Sequence, residues 1–394
     1  MPDMDALPLA GLKVVEFMHM VMGPSTGLIL GDMGADVIRV EPIGGDRTRR
    51  LLGSGSGYYP MYNRNKQSVC LDLKAAEGLA AARALVADAD IIIENFRPGT
   101  LARLGLGYDT LSGDNPGLIY CSAKGFLAGP YEDRTALDEV AQMMGGLAYM
   151  TGPPGRPLRA GASVIDVTGG MFGVIGIMGL LERRHRTARG GEVKCSLFET
   201  TAFLVGQHMA QKAVTGKAAA PMPARISAWA IYDVFTTAQD GQLFVGVVSD
   251  QQWVAFCAAF GLDDFAADAS LALNNDRVLA RDRILPPLRA LFATLDLADL
   301  LARCEAIGLP VAPIARPEDL FDDPHLNAGG GLVDMMLPDG TPTRLPALPI
   351  EVDGARFGVR HDLGLPGADS RAVLAGAGLS EPAIDALFAS GAAA

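Results

Sequence analysis

The 394-residue chain is too long for one hydrophobic core to keep growing economically, so two or more domains are expected. Its composition, 49% hydrophobic and 20% charged, excludes a disordered chain. A formal charge of −12, from 33 basic against 45 acidic residues, argues against a general nucleic-acid or anionic-membrane binder.

In chain order, the apolar run Leu12–Phe17 predicts a buried parallel strand. A turn at Gly23-Pro24, a helix over Ser25–Met33 and a strand over Asp36–Glu41 complete a βαβ opening. Strands follow at Ser68–Leu73, Ile91–Glu94 and Gly117–Ser122, with an Ala/Leu-rich helix at Ala75–Ala87. This alternation predicts an α/β protein with a Rossmann-like, doubly wound parallel sheet. Ala136–Leu147 reads as a helix closed by two glycines, followed by a Gly/Pro-rich loop over 152–161. Asp166 then opens a long apolar helix whose end is basic, and a strand follows at Glu192–Leu197.

Residues 201–226 read as a linker, most clearly in the non-periodic stretch Thr215–Ala224. Beyond it, Ala230–Phe235 and Gln242–Val248 flank Gln239-Asp240-Gly241 in the pattern of an antiparallel hairpin. Helices are expected at Gln251–Phe260 and, opening after Pro286-Pro287, at Leu288–Ile307. These elements define a smaller α+β domain over 227–328. A return linker and the end of the large domain occupy 329–394, with a short strand at Leu348–Val352 and a helical tail at Ser370–Leu387. The N-terminal part of the large domain is residues 1–200.

The opening Met1-Pro2-Asp3-Met4-Asp5 lacks the basic-then-apolar order of a secretory signal. The longest uncharged apolar stretch, Val167–Leu181, is shorter than the roughly 20 residues of a bilayer span. A cytoplasmic protein without membrane or nucleic-acid partners is the expectation. Five scattered cysteines form no CxxC or Cys/His cluster, so neither a disulfide framework nor a bound metal is expected.

Glu41 ends the second strand, where dinucleotide folds hold a ribose-binding acid, but no GxGxxG accompanies it. The arginines and lysines instead gather near predicted strand ends: Arg39, Arg47, Arg49, Arg50, Lys66, Arg97, Arg103, Lys124 and Arg134. An anionic, phosphate-bearing ligand suits that placement. His19 lies on the loop after the first strand, at the same edge. Asp166 has two readings, as a simple helix N-cap or as an oriented carboxylate nucleophile. Ser122 and Ser196 lack the GxSxG elbow of an α/β-hydrolase.

The ordered segments PLAGLKVVEF, GPSTGLILGDMGADVIRVEP, NRNKQSVCLDL, ENFRPGTLARLGLGY, CSAKGFLAGPY and DVTGGMFGVIGIMGLLERRHRTARGGEVKCSLFE resemble the class III CoA-transferases. EAIGLPVAPIARPEDLFDDPHLNA and the tail LPGADSRAVLAGAGLSEPAIDAL extend the resemblance through most of the chain. The resemblance implies an interlocked homodimer, a discontinuous large domain and Asp166 as nucleophile. It also implies CoA contacts at His19, Met20, Val21, Asn95, Phe96 and Arg103, and more loosely at Lys66 and Lys124. Acyl-CoA and a small carboxylic acid are then the substrates, with no tightly bound cofactor. Backbone N–H groups near Asp166 and at Lys124-Gly125 are expected to hold developing oxyanions.

The related α-methylacyl-CoA racemases pair the aspartate with a histidine where this chain has Thr135-Ala136-Leu137-Asp138, leaving Asp138 as the conceivable second base. A CoA-binding protein without transferase activity is a third reading. The glycine run of the oxalate-specific branch is absent, and Met20, Val21 and Met22 stand where that branch has a glutamine. These departures favour a larger acid, with Arg47 or Arg225 pairing a second carboxylate, as in succinate or a methyl-branched relative.

Overall fold

The computed structural model describes residues 7–225 and 227–394, so the acidic opening Met1–Asp5 lies outside them. The chain divides into two compact units: one built from the chain up to Pro223 together with Pro324–Ala394, the other from Ala224–Asp323.

The first unit carries β1 (Lys13–Phe17), α1 (Met22–Asp32), β2 (Asp36–Glu41), α2 (Tyr58–Tyr62), β3 (Lys66–Cys70), α3 (Ala76–Ala87) and β4 (Ile91–Glu94). Then come α4 (Thr100–Arg103), α5 (Tyr108–Asp114), β5 (Ile119–Lys124), α6 (Asp138–Met144), α7 (Leu147–Thr151) and α8 (Val164–Thr187). β6 (Gly191–Ser196), α9 (Leu197–Leu204) and α10 (Gly206–Thr215) complete its N-terminal portion. The six strands form one parallel sheet in the order β3-β2-β1-β4-β5-β6. Strand order reverses between β1 and β4, and open α/β sheets bind ligands in the crevice beyond the carboxyl ends at such a point.

Each sheet face has its own core because successive residues of a strand point to opposite faces. Val15, Phe17, Ile92 and Tyr120 pack with α3 and the C-terminal helices, while Val14, Ile91, Ile93 and Cys121 pack with α1 and α8. Glycines bring α8 close to its neighbours. A Cβ on Gly170 would lie 2.2 Å from Ser25 Oγ and 2.7 Å from the Met22 carbonyl of α1. The Thr26 hydroxyl donates across this contact to the Gly170 carbonyl at 3.2 Å.

The second unit holds β7 (Ile231–Thr236), β8 (Gln242–Val247), α11 (Asp250–Phe260), α12 (Asp263–Ala267), α13 (Asn274–Leu279), α14 (Arg281–Phe292), α15 (Leu297–Ala306) and β9 (Val311–Pro313). Its antiparallel sheet packs Ile231, Phe235, Leu243 and Val245 against Phe256, Leu288 and Phe292. In the returning segment, α16 (Pro324–Ala328) precedes the hairpin β10 (Leu332–Met336) and β11 (Pro342–Pro346). The small hairpin β12 (Glu351–Val352) and β13 (Ala355–Arg356) leads to α17 (Ser370–Gly376) and α18 (Glu381–Ser390). Asp369 and Ser370 accept the Ser68 and Cys70 N–H groups, so the returning chain covers the exposed edge of β3.

Several boundaries differ from the sequence expectation. Gly23 and Pro24 lie inside the first turn of α1 rather than in a turn before it, a position where proline's missing N–H does no harm. The expected linker from residue 201 is helical as far as Thr215. Pro286 and Pro287 lie within α14 instead of preceding a helix, because burial of Ile284, Leu288 and Phe292 outweighs the two lost donors. The helix expected over Leu288–Ile307 is therefore two, and the tail is likewise split around Gly376 and Gly378. The strand expected at Leu348–Val352 shrinks to Glu351–Val352, and the β10–β11 hairpin was not anticipated.

Candidate active site

Loops after β1 and β4 are clasped across the switch point. The His19 N–H donates to Asn95 Oδ1 at 3.1 Å, and Asn95 Nδ2 donates to the His19 carbonyl at 2.8 Å. The His19 and Phe96 rings lie 5.8 Å apart. Met20 has a φ of 64°, which a non-glycine residue adopts only under restraint. Its N–H donates to Thr48 Oγ1 at 3.2 Å, and Thr48 in turn donates to Asp46 through both its N–H and its hydroxyl. Val21 is buried, so its side chain belongs to the core.

Beneath this loop lies a buried ionic network. Arg39 pairs with Glu16 at 3.0 Å and also with Asp46, while Arg49 chelates Glu41 at 2.8 and 2.6 Å. Burial opposes ionisation of Glu41, but hydrogen bonds and charge from Arg49 and Arg39 outweigh it and hold the pKa near 2. Arg39, Arg49 and Glu41 are thus structural, and Glu41 has no capacity left for a ribose. Lys66 is also internal, contrary to its expected CoA contact. Its ammonium donates to both Glu16 oxygens at 2.9 and 3.1 Å and to the Pro24 carbonyl at 2.8 Å. Burial lowers its pKa to about 8 even with Glu16 alongside.

Next to β4 and β5, a cavity of about 540 Å³ is lined by Glu94, Arg97, Thr100, Tyr108, Ser122 and Lys124. Lys124 donates to Glu94 and to the Phe96 carbonyl, which ties it to the Asn95–Phe96 loop. Arg47 and Arg103 are exposed, Arg103 beside Thr100 and Arg47 in the short helical turn Arg47–Arg50 that contains Thr48. Arg225 belongs to the second unit.

Asp166 lies in the first turn of α8, with Ser163 as the N-cap residue. It is therefore not the N-cap. Capping comes from Asp138, whose Oδ2 accepts the N–H groups of Ile165 and Asp166 at 2.9 and 3.1 Å. Those two N–H groups are consequently unavailable as the expected oxyanion donors. Asp138 is buried and its other oxygen accepts from Gln142, so the proposed free second base is committed to a structural contact. Burial raises the Asp166 pKa to about 7, with the negative charges of Asp138 and Glu139 adding to the effect and Arg159 opposing it. A carboxylate that titrates near neutrality, with no donor to its oxygens among the described residues, is more basic and nucleophilic than a surface aspartate.

Asp166 is not among the residues lining the cavity beside β4 and β5. Comparison with known proteins identifies the family. The model of CoA-transferase family III matches residues 9–370. Succinate–glutarate CoA-transferase of Agrobacterium fabrum is 36% identical over 347 residues, covering 85% of this chain and 86% of that protein. Acetyl-CoA:oxalate CoA-transferase of Acetobacter aceti is 35% identical over 88% of this chain and 90% of its own length. A CAIB/BAIF family protein from Brucella suis superposes with a TM-score of 0.83 at 33% identity, over 94% of this chain and 99% of that one. The chain is a member of CoA-transferase family III.

Proposed function

We propose that this CoA-transferase moves CoA from an acyl-CoA donor to a dicarboxylic acid through covalent intermediates on Asp166. The observation that carries the reading is Asp166 itself: a half-buried carboxylate at the start of α8, raised to a pKa of about 7. In the ionised state, one of its oxygens attacks the donor thioester carbonyl. The C–S bond breaks, CoA thiolate leaves and an aspartyl–acyl anhydride forms. The thiolate then attacks the aspartyl carbonyl, releasing the donor acid as its carboxylate and leaving an aspartyl-CoA thioester. An acceptor carboxylate attacks that thioester, CoA thiolate departs again, and its attack on the acyl carbonyl of the new anhydride frees Asp166. No net proton is consumed.

Water must be kept from the anhydride, and the apolar, partly exposed Met20 of the loop after β1 suits that need, whereas Val21 and Met22 are buried in the core. His19, Asn95, Phe96 and Lys124 are proposed to hold CoA, with Arg103 and Arg47 offering exposed cations to its phosphates or to a second carboxylate. The dicarboxylate reading is supported by relatives named for succinate and glutarate and by one named for oxalate, the smallest dicarboxylate. The racemase reading loses support because Asp138 is buried and already bonded.

A donor-by-acceptor screen by mass spectrometry tests the reaction. New acyl-CoA species from a dicarboxylate acceptor are expected with wild-type protein, and loss of exchange with retained folding and CoA binding is expected for Asp166→Ala. Substantial exchange by that variant would overturn the covalent role of Asp166.

A further inference from the structure

The first turn of a helix has N–H groups without intrahelical partners, and a nearby carboxylate is stabilised by them. Asp166 lies in such a turn, yet the N–H groups it would exploit are taken. Ser163 stands at the N-cap but makes no side-chain capping bond. Asp138, from α6, supplies the cap from outside: one oxygen receives both Ile165 N–H and Asp166 N–H. Its position is braced on the other side by Gln142, whose Oε1 accepts the Ala160 N–H at 2.8 Å. Arg159 lies 3.5 Å from Asp138 Oδ1, pairs with Glu139, and donates to the Ala160 and Ala162 carbonyls. The loop entering α8 is therefore fixed by a single cluster.

We propose that Asp138 is a positioning residue which fixes the first turn of α8 and, by occupying that helix N-terminus with its own carboxylate, denies the terminus to Asp166. The proposal rests on Asp166 being the nucleophile. Two consequences follow from one contact: the backbone that aims Asp166 is tethered at two successive N–H groups, and the helix terminus cannot hold Asp166 in a low-energy, unreactive form. Arg159 opposes the second effect through its own positive charge near Asp166.

The groups facing Asp166 are few. Asp138 and Glu139 come from α6, Arg159 from the loop before α8 and Tyr62 from α2. α1 and the sheet meet α8 through uncharged Met22, Ser25, Thr26, Cys121 and Cys195. From α9, Glu199 is engaged with Ser196 and the Leu127 N–H, while Phe203 packs on Phe172. Burial accounts for the largest part of the raised Asp166 pKa and Asp138 for the next largest.

The test is the pH dependence of kcat/KM for acyl exchange in four full-length proteins: wild type, Asp138→Asn, Arg159→Gln and Asp166→Asn. Wild type is expected to lose activity as pH falls through about 7, as Asp166 takes up a proton. Asp138→Asn retains a carbonyl oxygen for the two N–H groups but removes the charge, so its acidic limb moves down by about one pH unit. Arg159→Gln removes the opposing cation and moves the limb up. A merely structural role would reduce the plateau in both variants without moving the limbs in opposite directions. Unmoved limbs, or limbs moving the same way, would overturn the role of Asp138 while Asp166→Asn remained inactive. Activity of Asp166→Asn would instead strike the nucleophile assignment. If Asp138→Asn fails to fold, Asp138→Ser, which keeps an acceptor oxygen without the charge, decides in its place: a limb moved down supports the proposal and an unmoved limb refutes it.

Discussion

Replacing Asp166 with asparagine is expected to abolish exchange and also to make the native protein more stable at alkaline pH. The carboxyl's ordinary pKa of 3.8 is raised to about 7 in the fold. Below 3.8 it is protonated in both states, so it contributes no pH-dependent difference. Between 3.8 and 7 the unfolded chain releases the proton while the native site retains it, and native stability falls as pH rises. Above 7 the loss is constant. About 3 pK units at 1.36 kcal/mol each give a ceiling of ~4 kcal/mol. Partial solvent exposure of the side chain screens this, to about 2 kcal/mol. Roughly half of that accumulates between about pH 5 and pH 8. Thermal unfolding of wild type and Asp166→Asn at those two pH values should show the variant's advantage growing by about 1–2 °C at the higher pH. An offset that is the same at both values, or larger at the lower, would refute the claim that the carboxylate is held against its ionisation.

Thr48→Val removes the acceptor for the Met20 N–H while keeping the side-chain shape, so the loop after β1 loses a restraint on its left-handed residue. A rise in KM for acyl-CoA of about 3–10-fold is expected in steady-state kinetics, from ~1 kcal/mol of lost hydrogen bonding; an unchanged KM would detach this loop from CoA binding. Met171, Ile175 and Met178 of α8, with Phe203 of α9, are exposed apolar side chains, Ile175 to 63% and Phe203 to 71%. We propose that a second copy of the chain covers them, and Ile175→Glu should shift the protein to a smaller species in light scattering. A wild-type monomer would refute that reading.

Much of the fold was legible locally. The alternation of valine- and isoleucine-rich runs with helical segments marks buried parallel strands, and β1, β2 and β4 lie close to their expected bounds. Helix breaks were harder to read. Pro286 and Pro287 look like a boundary by local rules, whereas the apolar face through Ile284, Leu288 and Phe292 keeps the helix intact. α8 also exceeded expectation. At 24 residues it is long and apolar enough to cross a membrane, yet Ile165, Val174, Ile177 and Leu181 bury against α1 and the sheet.

The sequence by itself determined the strand–helix alternation, the family and the place of Asp166 at the start of an apolar helix, because all three reside in residue order and local periodicity. Tertiary structure decided which charged groups remain for chemistry. Arg39 and Lys66 look like ligand-edge cations in the sequence, but the parallel registry of β1, β2 and β3 brings them onto Glu16 in the interior. Asp138 looks like a free acid, but the packing of α6 against α8 makes it the cap of the helix that carries Asp166. Partners so far apart along the chain leave no periodic trace, and burial turns each such pairing into a choice between a structural charge and a reactive one.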